Sequence, residues 1–155
     1  MLSIADNLLL SLHIMNISFL DHSNFLDTGL KKKLENNVIK IIKYLNLPED
    51  CEICISIIND RNMRELNKKY RNIDRTTDIL SFPQYKFSDN NLLGDLIISY
   101  ETALRHSKKY NITIETEMIN LLIHGILHLI GHDHKKKKEA EIMRDFENKI
   151  KKYLK

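Results

Sequence analysis

Apolar positions recur along this chain in two rhythms, and the change from one to the other predicts its elements. Residues 12–19 alternate loosely and predict a first strand. Over residues 24–46, Leu30, Leu34, Val38, Ile41, Ile42 and Leu45 fall at helical spacing, which predicts an amphipathic helix closed near Pro48. Residues 51–58, rich in isoleucine, predict a second strand. Asn59 and Asp60 offer a cap for a helix over 61–70, with Met63, Leu66 and Tyr70 facing inward. Residues 71–83 read as a loop entering a short strand that Pro83 ends, because proline donates no ladder hydrogen bond. A polar loop over 84–91 precedes a strand at 93–99 and helices at 100–110, 114–130 and 138–154. Thr113 suits the N-cap of the helix at 114–130, and Glu115 and Glu117 suit the positive end of its dipole. The order β-α-β-α-β-β-α-α-α implies an α+β fold. We expect one small mixed sheet of about four strands packed by about five helices, in a single domain over residues 1–155.

The helix at 114–130 breaks the apolar pattern in one way. Its middle, Met118-Ile-Asn-Leu-Leu-Ile123, is apolar enough for a core, yet His124 and His128 follow four residues apart. That spacing puts both imidazoles on one face, one turn apart. A buried imidazole needs partners for its ring nitrogens, and a metal ion bound by both would satisfy them. Gly131 can end the helix in a left-handed conformation and let the chain deliver His134 as a third ligand. The resulting His-x3-His-x2-Gly-x2-His has the ligand spacing of metzincin-type zinc proteases. Those carry a Glu directly after the first His as general base, whereas this chain has Gly125. His132 continues the series from His128, but a straight column would set it about 12 Å along the axis from His124. One tetrahedral ion is poorly served by such a column, so His132 is expected at the rim and Asp133 beside a ligand.

Composition changes this picture little. Of the 155 residues, 43% are hydrophobic, enough for one core. No apolar run reaches the roughly 18 residues of a membrane span. Residues 1–12 contain Leu8-Leu9-Leu10 but also Asp6, with no basic n-region and no small-residue cleavage site, so they do not read as a signal peptide. The expectation is a cytoplasmic protein. Cys51 and Cys54 would point to opposite faces of a strand and are not expected to share a metal or form a disulfide. The net charge of +3 is concentrated at the end, where residues 135–155 hold nine Lys/Arg against four Asp/Glu. Such a tail can attract phosphates, although charge alone favours the solvated face of a surface helix.

Three blocks together resemble one family. They are Tyr70-Arg71 through Thr77-Asp78-Ile-Leu-Ser81-Phe82-Pro83, then Leu93-Gly94-Asp95-Leu-Ile-Ile-Ser99, then His124-Gly125-x2-His128-Leu-x-Gly131-x-Asp133-His134. Their order and spacing are similar to those of the YbeY family of bacterial metal-dependent endoribonucleases. The close match covers about residues 59–134. The resemblance implies one zinc per chain, held by His124, His128 and His134, and cleavage of single-stranded RNA. It implies a task in late maturation of the 16S rRNA 3′ end and quality control of the ribosomal small subunit, with no DNA specificity and no membrane. It also makes Arg71 the functional arginine. The chain departs from the family at Thr76, where a proline is usual, at His132, where an aromatic is usual, and in its four lysines at 135–138.

A mechanism consistent with that resemblance has no glutamate base. Zinc on three neutral imidazoles leaves a fourth position for water and lowers its pKa towards neutrality. The resulting hydroxide, or an activated 2′-hydroxyl, attacks phosphorus, and the Arg71 guanidinium holds the charge that gathers on the phosphoryl oxygens. Asp78 is expected either to orient a ligand, to hold Arg71 or to cap a turn, and Asp95 is open between a site and a structural role. Two other classes of function compete. A metalloprotease fits the spacing, but Gly125 places no carboxylate beside the metal. A zinc-stabilised ribosome assembly factor with little catalysis fits if a further ligand closes the site.

Overall fold

The isoleucine-rich run becomes a strand with neighbours on both sides. The computed structural model describes residues 16–84, 91–132 and 136–155. They form β1 (Asn16–Asp21), α1 (Thr28–Tyr44), β2 (Glu52–Ile58), α2 (Asp60–Arg71), β3 (Ile79–Pro83), β4 (Leu92–Ser99), α3 (Tyr100–Lys109), α4 (Ile114–Leu129) and α5 (Lys137–Leu154). The sheet order is β1-β2-β4-β3, with β1, β2 and β4 parallel and β3 antiparallel to β4 at one edge. This is the mixed four-stranded α+β sheet that the pattern predicts.

Alternation along β2 and β4 explains the two layers. Ile53, Ile55 and Ile57 of β2, with Leu96 and Ile98 of β4, are buried on the face covered by α1 and α4. The opposite face carries a smaller cluster, in which Ile58, Leu80 and Ile97 meet Met63 and Leu66 of α2. α4 lies at the centre of the larger layer and touches β3, β4, α1, α3 and α5. Burial on nearly every side of its second half is why residues 121–129 are apolar apart from Gly125 and the two histidines.

Element ends follow from local chemistry. The first helix starts at Thr28 and not near 24, because the Asp27 side chain accepts from Leu30 N at 2.8 Å and Asn24 has φ 53°. The first strand runs on to Asp21, held in register with Ile57, while residues 12–15 of the predicted strand lie outside the described residues. Tyr70 departs from expectation: it lies over the edge strand with its ring 5.1 Å from that of Phe82, and it remains 54% exposed. Asn67 is the buried residue instead, donating through Nδ2 to Arg75 O at 2.8 Å.

That contact helps to fix the loop between α2 and β3. So does a knot around Asp60, whose carboxylate accepts from Ser99 Oγ and Thr102 Oγ1, each at 2.6 Å, from Thr76 Oγ1 at 3.2 Å and from Arg105. Burial alone would raise the Asp60 pKa. The hydrogen bonds from Arg105, Ser99 and Thr102, with the charge of Arg105, outweigh it and hold the carboxyl well below the usual carboxylate range.

Candidate metal centre

Between Leu121 and Leu129 of α4 every residue is buried except His124 and His128, which are half-buried. Over this stretch the histidine stripe is therefore where the helix reaches solvent. The two Nε2 atoms lie 3.1 Å apart, with the rings inclined at 74°. Two nitrogens each about 2.05 Å from a tetrahedral ion stand about 3.3 Å apart, so this pair is spaced as two ligands of one zinc ion. Neutral imidazole nitrogens also suit zinc as donors. Among the described residues no three His, Cys, Asp or Glu side chains converge on such a point. His134, the third ligand expected from sequence, lies outside the described residues, as do Asp133 and Lys135.

The turn that would return the chain is present. Gly131 has φ 98° and donates to His128 O at 3.1 Å, while His132 N donates to Leu127 O at 3.0 Å. These are the paired bonds of a Schellman C-cap, and they need a residue that tolerates the left-handed region. Among the described residues, its chain neighbours aside, no heavy atom lies within 4 Å of a Cβ built on Gly131, so conformation rather than space selects glycine here. His132 turns away from the stripe and rests its ring 4.8 Å from that of Phe146 in α5.

Glu147 is the participant that sequence reasoning missed. Its Oε1 accepts from His124 Nδ1 at 2.7 Å, and its side chain is 18% exposed. The bond from His124 holds the Glu147 pKa below its ordinary value, against the opposing effect of burial. A signal was available: Met143 and Ile150 form the buried stripe of α5, and Glu147 falls between them at i+4 and i−3. A carboxylate on the inward face of an amphipathic helix needs a partner.

The surroundings of Gly125 argue against the alternative raised by the protease-like spacing. A Cβ there would stand 2.7 Å from Leu96 Cδ2 and 2.8 Å from Ile79 Cδ1. The residue after His124 faces the sheet, so a glutamate at this position would enter the core and not the histidine stripe.

Arg71 ends α2 and is exposed, donating through Nη2 to Ser81 O at 3.2 Å with its guanidinium 6.0 Å from the Phe82 ring centroid. Its neighbours on the helix are engaged otherwise: Arg64 and Lys68 both pair with Asp74. Among the described residues no carboxylate pairs with Arg71. Its anchor Ser81 and the Gly125 contact Ile79 are two residues apart on β3, about 7 Å of strand. One edge strand thus fastens both the arginine and the histidine helix. Asp78 does not hold Arg71. It accepts from Ile79 N at 2.8 Å and lies 3.7 Å from His106 Nδ1, a turn role. Asp95 is exposed opposite Phe82 in the sheet. Cys51 and Cys54 are free thiols, and burial pushes the Cys51 pKa up.

Fold and site together define a class, an α+β domain whose core helix presents a half-buried imidazole pair in its last two turns, with a carboxylate behind it. The family model described as Endoribonuclease YbeY matches residues 16–155. Relatives of that description include one from Sulfurihydrogenibium sp., 43% identical over 77% of this chain and 80% of its own length. Another, from Caldicellulosiruptor bescii, is 33% identical over 81% of this chain and 87% of its own. The solution structure of TM1509 from Thermotoga maritima superposes with a TM-score of 0.59 at 25% identity, covering 86% of this chain and 88% of that one. The chain belongs to the YbeY endoribonuclease family.

Proposed function

We propose that this protein is a zinc-dependent endoribonuclease that cleaves single-stranded RNA in the cytoplasm, with late maturation of the 16S rRNA 3′ end as its task. The observation that carries the reading is the convergence of His124 Nε2 and His128 Nε2 at 3.1 Å on a helix whose other residues between Leu121 and Leu129 are all buried. Membership of an endoribonuclease family supports RNA as the substrate. Among the described residues no helix is long and apolar enough to cross a membrane.

His124, His128 and His134 would hold the metal. The chemistry a bound zinc ion supplies is Lewis acidity, which activates water or a 2′-hydroxyl for attack on phosphorus. The remaining work belongs to the chain. Glu147 keeps the His124 Nδ1 proton in place and leaves the lone pair on Nε2, the atom that faces His128. Arg71 presents a planar guanidinium, free of carboxylates among the described residues, to the phosphoryl oxygens on which charge gathers. Lys136, Lys137 and Lys138, all exposed, add positive charge at the start of α5 for the RNA backbone.

Incubation of purified protein with single-stranded RNA, double-stranded RNA and casein, each with and without chelator, tests this reading. Chelator-sensitive cleavage of the single strand alone is expected. Cleavage that survives removal of metal, or none with zinc restored, overturns it, and the latter result would favour an assembly factor.

A further inference from the structure

We propose that Glu147 is a positioning residue that sets the tautomer and ring orientation of His124 for metal binding, so that α5 is part of the metal centre and not only a packing helix. The inference rests on the zinc reading above and goes beyond its three histidines.

The geometry is specific. Glu147 and His124 are 23 residues apart and meet at 2.7 Å through Nδ1, the nitrogen that faces away from His128. An ionised carboxylate can only accept, so the proton must sit on Nδ1. A neutral imidazole with Nδ1 protonated has its lone pair on Nε2, the atom that faces His128 Nε2. The carboxylate thereby selects the tautomer that can bind a metal at the shared point. It also makes that nitrogen a better donor, as hydrogen-bonded partners of metal-bound histidines generally do.

Nor is Glu147 free to settle elsewhere. Met143 and Ile150 are buried on its face of α5, and Phe146 carries His132, the residue after the Gly131 turn. One stretch of α5 therefore braces both the first ligand and the turn that leads to the expected third. Packing holds the helix, and the carboxylate aims the imidazole.

The test compares wild type, Glu147→Ala and Glu147→Gln. Zinc affinity is read by competition with a chromophoric chelator, and the apo-protein His124 tautomer by long-range 1H–15N NMR. Wild type should show Nδ1 protonated and Nε2 not. Glu147→Ala should lose that preference and bind zinc about 10- to 100-fold more weakly. Glu147→Gln, whose amide oxygen still accepts from Nδ1, should keep the tautomer and fall between the two, even if Glu147→Ala folds poorly. A merely structural role would lower the apo melting temperature while leaving tautomer and affinity unchanged, and that result overturns the proposal. Failure of wild type itself to bind zinc would overturn the metal reading, and this inference with it.

Discussion

Gly125 offers a quantitative test of how α4 is seated. Replacing a mid-helix glycine by alanine stabilises a helix by about 1 kcal/mol when nothing opposes it. Here the new Cβ would meet Leu96 Cδ2 at 2.7 Å, Ile79 Cδ1 at 2.8 Å and Leu96 Cδ1 at 3.0 Å. The Leu96 side chain is fully buried and has little room to turn aside. Overpacking of a close-packed core costs about 1–3 kcal/mol, so Gly125→Ala should lose a net of roughly 0–2 kcal/mol. Gly125→Glu keeps that clash and drives a carboxylate into the same layer, for a loss above about 3 kcal/mol. For a domain of this size each kcal/mol moves the melting temperature by about 2–4 °C. Urea and thermal unfolding of the three proteins should rank them wild type, then Ala, then Glu, and Gly125→Glu should show no peptidase activity on casein. Stabilisation of Gly125→Ala by the full 1 kcal/mol or so would mean that the space is open. A stable, proteolytic Gly125→Glu would mean that residue 125 faces the metal.

Three other perturbations probe separate parts of the account. Elemental analysis should find zinc retained in His132→Ala, whose ring rests on Phe146, and lost in His134→Ala; the reverse would mean that the Gly131 turn does not deliver His134. Arg71→Ala, matched for zinc content and melting temperature, should slow single-turnover RNA cleavage about 100- to 1,000-fold, with poor rescue by Arg71→Lys, since an ammonium lacks the planar fork; equal rates would remove Arg71 from the chemistry. Asp60→Asn should destabilise the fold by roughly 2–4 kcal/mol at neutral pH, because one charged acceptor serves four side chains. Its folded pKa is depressed, so its contribution is complete above the unfolded value near 4 and lost as pH falls below it. The variant should therefore show a flatter loss of stability than wild type below about pH 4, and parallel acid-unfolding curves would contradict the assignment.

What was legible in the sequence was local. The helix at 114–130 could be read because Thr113 caps its start, Gly131 closes its end and the apolar run between them is broken only by polar residues such as the histidine pair. The mixed sheet followed from alternation and from the order of elements. Contacts between distant elements were not legible. Nothing near Glu147 names His124 as its partner, since α5 must first dock on α4. Tyr70 has the right helical phase to face inward, yet the sheet ends at β3 and leaves most of its ring in water. Asp60 reads as a capping residue, but it gathers Ser99, Thr102 and Arg105 from segments about 40 positions later. Arg71 is an ordinary helix-end arginine by sequence, and its placement on the strand that also braces the histidine helix is a property of the tertiary fold.

The central claim, that the His124–His128 pair is the core of a metal centre for RNA cleavage, is tested most directly by titrating zinc into metal-free protein. The measurement is the single-turnover rate of single-stranded RNA cleavage at each zinc addition. The account predicts no cleavage at the start, a rise in proportion to zinc, and a plateau at one equivalent per chain, with His128→Ala flat throughout. Full cleavage before any zinc is added, or a His128→Ala titration that overlays wild type, would contradict it.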